Sequence, residues 1–130
     1  MRQEDKLSQD VSNFLQLKYP KVIFRFDFAS GLKMSMNQAV KHKKLQGDRR
    51  GYPDLTIYES NEKYNGLMIE LKATSPFLKD GKTLKKNQHL KEQDDYLNKL
   101  REEGYYATFS TGLGETIEII DRYLLQKVTI

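Results

Sequence analysis

The sequence contains no cysteine, so disulfides, thiolate zinc sites and cysteine nucleophiles are excluded outright. It contains no tryptophan and only two histidines, His42 and His89, which argues against a histidine-based metal centre. Proline is scarce, at three residues. No apolar run approaches the length needed to span a bilayer, and Met1-Arg2-Gln3-Glu4-Asp5-Lys6 lacks a hydrophobic signal region. The expectation is a cytoplasmic protein without membrane partners or a small-molecule cofactor.

What is present is charge. Of 130 residues, 31% are charged and 38% hydrophobic, with a net charge of +4, which leans toward an anionic partner. The length suits one domain with one core. The apolar residues recur periodically, as in a globular chain and unlike a disordered one. No internal repeat or low-complexity tract appears.

The most informative stretch is Gly51-Tyr52-Pro53-Asp54-Leu55-Thr56-Ile57-Tyr58, read with Gly66-Leu67-Met68-Ile69-Glu70-Leu71-Lys72. Each half reads as a short strand, and the turn-rich segment Glu59 to Asn65 joins them as a hairpin. Strand alternation places Met68, Glu70 and Lys72 on one side, and Leu67, Ile69, Leu71 and Ala73 on the other. Asp54, at the mouth of the neighbouring strand, then comes within reach of Glu70. Close carboxylates repel, and burying them is costly unless a cation neutralises them. Hard oxygen ligands suit Mg²⁺ or Mn²⁺, and an amine at Lys72 beside them suits metal-assisted phosphodiester hydrolysis. An E-x-K tripeptide alone more often marks a strand facing water; the Pro-Asp entry, the hairpin spacing and the apolar opposite face set this one apart.

Around this stretch, Glu4 to Lys18 reads as an amphipathic helix with Leu7, Val11, Phe14 and Leu15 on one face, ended by Tyr19-Pro20. Val22 to Phe28 alternates as a half-buried strand, and Met36 to Gln46 reads as a short basic helix capped by Ser35 or Asn37. Thr74 to Gly81 reads as a loop. Lys86 to Glu103 is a helix with Leu90, Gln93, Leu97 and Leu100 on one stripe and Tyr96 alongside, closed by Gly104. Tyr105 to Ser110 follows as a strand and Thr111 to Gly114 as a turn. Glu115 to Gln126 reads as a last helix with Ile117, Ile120 and Leu124 inward. This element order implies an α/β domain with a mixed sheet of about four strands, helices covering both faces.

Two basic runs flank the central stretch. From Lys33 to Arg50, the cations Lys33, Lys41, Lys43, Lys44, Arg49 and Arg50 face a single Asp48, a local charge of +5. From Lys79 to Lys91, Lys79, Lys82, Lys85, Lys86 and Lys91 face Asp80, a local +4. Beside a phosphodiester-cleaving site, such runs would bind the DNA backbone and give little base readout.

Pro53-Asp54, fifteen residues, then Glu70-Leu71-Lys72 resembles the PD-(D/E)xK nuclease superfamily. With Gly51, Gly66, Gln93 and Gly104-Tyr105 the pattern is similar to its VRR-NUC branch, more narrowly to the small stand-alone members common in phages. The similarity runs from about Glu4 to Tyr123, so the chain is read as one such domain over residues 1–130. The resemblance implies a restriction-endonuclease-like fold. It implies a carboxylate early in the first helix reaching the metal site, for which Glu4 is the match and Asp10 the reserve. It also implies a glutamine on the long helix against the catalytic cluster, eleven residues before the closing glycine, which selects Gln93 over Gln88.

The expected mechanism has Asp54, Glu70, the Leu71 carbonyl and Glu4 around one or two Mg²⁺ ions, with Mn²⁺ also accepted. Lys72 supports the attacking water or the developing charge, and Gln93 orients Lys72 or the water. The expected activity is a Mg²⁺-dependent DNA endonuclease acting on branched DNA as a homodimer, similar to Holliday-junction resolvases, in a bacterial or phage-infected cell. The alternatives are a nuclease for flaps, nicks or plain duplex, a DNA-binding module without chemistry, and an adaptor for acidic proteins.

Overall fold

A computed structural model describes residues 2–27, 35–47 and 51–125. The first helix, α1 (Gln3–Lys18), has Glu4 and Asp5 in its first turn and Lys18 in its last, the arrangement that complements a helix dipole. Its buried residues are Leu7, Val11 and Leu15, one stripe at four-residue spacing. Strand β1 (Phe24–Phe26) is shorter than the alternation of Val22 to Phe28 suggests. Single backbone bonds extend its pairing at both ends, from the Tyr58 N–H to the Ile23 carbonyl and from the Asp27 N–H to the Asp54 carbonyl, both 2.8 Å. Phe28 lies outside the described residues.

Helix α2 (Met36–Gln46) opens on Ser35, whose hydroxyl accepts from the Gln38 N–H while the Gln38 side chain accepts from the Ser35 N–H, a reciprocal cap. It buries no residue. Strands β2 (Leu55–Ile57) and β3 (Leu67–Lys72) form the expected antiparallel hairpin, and β1 pairs antiparallel with β2 on its other side. After helix α3 (Gln88–Glu102), capped by the Asn87 side chain, β4 (Tyr106–Thr111) returns parallel to β3. The mixed sheet runs β1-β2-β3-β4.

Helix α4 (Gly112–Leu125) begins three residues earlier than the reading of Thr111 to Gly114 as a turn allows. The Glu115 carboxylate accepts from the Thr111 N–H at 2.7 Å and so satisfies a donor at the helix start. Thr116, Ile120 and Tyr123 are its buried residues, with Ile119 and Leu124 packed against the core.

Two cores lie on opposite sides of the sheet. Leu55, Ile57, Leu67, Ile69 and Leu71 pack under α1 and α4. Met68, Ala107 and Phe109 pack against Leu97 of α3. The side of β3 that bears Glu70 and Lys72 therefore faces α3, and helices cover both faces as the element order implies.

Candidate active site

Four elements bring the acidic cluster together. Gly51 enters it with φ +86°, and its backbone lies so close to α3 that a Cβ there would stand 2.7 Å from the Glu92 carbonyl oxygen. Only glycine combines that dihedral with that approach. Pro53 is fully buried and delivers Asp54 to the start of β2. The Asp54 Oδ2 accepts from the Leu71 N–H at 2.8 Å, which ties the carboxylate to β3 one residue beyond Glu70.

Glu70 is 4% exposed, and its carboxyl group lies close enough to that of Asp54 for the two to interact directly. The Gln93 amide, 6% exposed on α3, donates to Glu70 Oε2 at 2.9 Å. Lys72 Nζ stands 3.8 Å from the same oxygen. Burial pushes the Glu70 carboxyl well above the ordinary carboxylate range, and the neighbouring Asp54 charge pushes the same way; Lys72 opposes both. Burial likewise raises Asp54, against the hydrogen bonds from Glu70 and Leu71. The two carboxyl groups thus behave as a pair sharing a proton.

Asp54, Glu70, Lys72 and Gln93 are therefore brought together. Gln93 meets Glu70, where the expected partner was Lys72 or a water. Glu4 stands at the edge: its carboxylate accepts from the Ala73 N–H at 3.3 Å, at the end of β3. Its charge reaches both Asp54 and Glu70. Asp10 is paired with Lys6 at 3.3 Å along α1.

Among the described residues, no group of three or more histidine, cysteine or acidic side chains is arranged to hold a metal ion. The pair itself fits a hard divalent cation, which needs one or two carboxylates and completes its shell with water or phosphate. Glu70 Oε1 is buried with no hydrogen-bond partner, an acceptor left over inside a proton-sharing pair. A cation would satisfy that oxygen and replace the shared proton.

Among the basic residues, Lys41, Lys43 and Lys44 are exposed on α2. Lys82, Lys85 and Lys86 are exposed on the segment before α3. That segment continues the loop expected from Thr74 to Gly81, and the loop is internally bonded. The Phe77–Leu84 bridge and the Lys85 N–H bond to the Pro76 carbonyl close it. The Asp80 carboxylate accepts the N–H groups of Lys82 and Thr83 at its tip, both 2.8 Å. Phe77 packs edge-on against Phe109, 5.9 Å between centroids, which anchors the segment to the sheet. Lys33, Arg49 and Arg50 lie outside the described residues.

Two neighbours escaped the sequence reading. His89 Nε2 lies 3.3 Å from the Gln93 amide nitrogen; its place four residues earlier on the same helix is the signal that could have found it. Tyr52 packs edge-on against Tyr96 of α3, 5.5 Å between centroids.

No protein-family model matches the chain, and no curated protein does. A solved structure described as a VRR_NUC domain protein superimposes with a TM-score of 0.67 over 94% of this chain and 88% of that one, at 24% sequence identity. The chain has the fold of that VRR_NUC domain protein. The mixed four-stranded sheet with helices on both faces is thus the expected restriction-endonuclease-like α/β arrangement.

Proposed function

We propose that the chain is a divalent-metal-dependent deoxyribonuclease of the PD-(D/E)xK type, in its VRR-NUC branch. The observation that carries this reading is the buried Asp54–Glu70 pair with Lys72 Nζ 3.8 Å from Glu70. The likeness to a VRR_NUC domain protein supports it independently of the site.

Asp54 and Glu70 are the residues to hold Mg²⁺, with Mn²⁺ as a substitute, and the Leu71 carbonyl and Glu4 are the further candidate ligands. A bound ion supplies Lewis-acid stabilisation of phosphate charge and a more acidic water. The protein groups do the rest. The Leu71 N–H fixes Asp54, and the Gln93 amide holds the Glu70 carboxylate in one orientation. The Lys72 ammonium stabilises the negative charge that gathers on the phosphate as the attacking oxygen arrives. The exposed lysines of α2 and of the 76–86 segment neutralise the DNA backbone on either side.

The finer reading is selectivity for branched DNA by a homodimer. One site per protomer cuts one strand, so paired cuts across a junction require two protomers related by a twofold axis. The test is nicking of a four-way junction beside linear duplex in Mg²⁺, with Glu70→Ala as control. Faster cutting of the junction by wild type and none by the variant is expected. Equal rates on both DNAs would remove the branched-DNA selectivity and leave the nuclease. No metal-dependent nicking of any DNA by wild type would leave a DNA-binding module without chemistry.

A further inference from the structure

Beside the acidic pair lies a cleft of about 300 Å³ that the cleavage chemistry does not use. Its floor is Thr56 of β2, 2% exposed. Arg25, paired with Thr56 across the sheet, and Tyr58 flank it, while His42 and Gln46 from α2 and Tyr52 complete the walls. Thr56 is two residues along the chain from Asp54, so it lies on the same side of the sheet, about 7 Å away along the strand. Whatever occupies the cleft therefore sits one short step from the phosphodiester that Asp54 and Glu70 would address.

The lining decides the chemistry of the occupant. A phosphate site gathers cations and excludes carboxylates. Among the described residues of the lining, Arg25 is matched by Asp27, and the other groups are a hydroxyl, an amide, an imidazole and two phenol rings. That is a neutral set rich in donors, acceptors and flat faces. Unpaired bases are recognised by such groups, through hydrogen bonds to their edges and stacking on aromatic rings or guanidinium planes. The volume is at the lower end for small-ligand sites, suited to one planar ring system.

We propose that this cleft receives an unpaired nucleobase of the DNA strand next to the scissile phosphate, so that the protein selects substrates with a base out of the stack. The inference rests on the nuclease reading for its DNA partner, while the cleft itself reads the base. The lysines hold the backbone, and the cleft senses whether a base is free to enter.

The test compares binding of three DNAs that differ at one position, carrying a paired nucleotide, an unpaired nucleotide or an unpaired abasic site. Fluorescence anisotropy in EDTA makes the result independent of cleavage. The unpaired base should bind about fivefold or more tighter than the abasic site, given about 1–3 kcal/mol per stacked base. In Tyr58→Ala and Gln46→Ala that ratio should fall towards one. Tyr58 is 53% exposed and Gln46 lies on a helix that buries nothing, so neither change threatens folding. Equal binding of base and abasic DNA by wild type, or a ratio retained in both variants, would overturn the proposal. Failure of the nuclease reading shows separately, as absence of Mg²⁺-dependent nicking of any DNA.

Discussion

Asp54 and Glu70 bring two interacting carboxyl groups together from adjacent antiparallel strands, in a site where Glu70 is 4% exposed. Two buried acids in contact disfavour double ionisation, and a divalent cation removes that conflict.

With Glu70 raised above its ordinary 4.5, folded and unfolded chains are both protonated at low pH, and the stabilising protonated form is fully present there. Above that value the unfolded chain releases a proton that the folded chain keeps. Stability in EDTA should therefore fall as pH climbs, by up to about 1.4 kcal/mol per pH unit for one group. On the proposed metal assignment Mg²⁺ would take the place of that proton, so the gain in Tm on adding Mg²⁺ should grow with pH. A Tm that rises with pH in EDTA between about 6 and 8 would contradict the shared-proton pair.

Glu70→Gln keeps the shape and removes the charge. At a pH of about 8 in EDTA the variant should be as stable as wild type or more stable, by about 1–2 kcal/mol, because its folded state no longer has to hold a proton that the unfolded chain has released. Mg²⁺ should no longer shift its Tm, and cleavage should be lost. Thermal melts with and without Mg²⁺ check both parts.

Gln93→Ala removes the side-chain amide that donates to Glu70. Hydrogen bonds to charged groups contribute about 1.5–3 kcal/mol, so single-turnover nicking should slow roughly 10- to 100-fold. DNA affinity should change little, since no part of Gln93 stands among the exposed lysines. An unchanged cleavage rate would deny it a positioning role.

Gly51→Ala places a methyl group 2.7 Å from the Glu92 carbonyl oxygen at φ +86°. The left-handed backbone alone costs an L-residue about 1–2 kcal/mol, and the clash adds to it, so urea unfolding should show a loss of about 2 kcal/mol or more. Cleavage should suffer as well, because the same segment delivers Asp54.

Replacing Lys41, Lys43 and Lys44 together by glutamine should leave the folded state intact, as α2 buries no residue. DNA affinity should fall, and the slope of log affinity against log salt should become shallower by about 2–3, at about 0.9 for each phosphate no longer neutralised. An unaltered slope would place the DNA elsewhere.

Much of this architecture was legible because it is local. The Leu7, Val11 and Leu15 stripe announces α1, Ser35 announces the start of α2, and the alternation from Leu67 to Lys72 announces both faces of β3. Glu70 and Lys72 could be placed together because alternation is strict, and Asp54 beside them because a short hairpin limits the register. The loop before α3 was legible from Pro76 and Gly81, but its internal bonding was not, because that comes from Asp80 binding main-chain N–H groups and from the Phe77–Leu84 bridge. The start of α4 was hidden by Gly112 and Gly114, which read as a turn until Glu115 is seen to cap Thr111. The cleft at Thr56 joins β1, β2 and α2, three segments whose proximity no periodicity encodes.

Helix α2 contributes nothing to either core. Its residues can therefore drift, lengthen or exchange without touching the acids that would cut. Evolution of what this molecule chooses to engage is decoupled from evolution of how it stays folded.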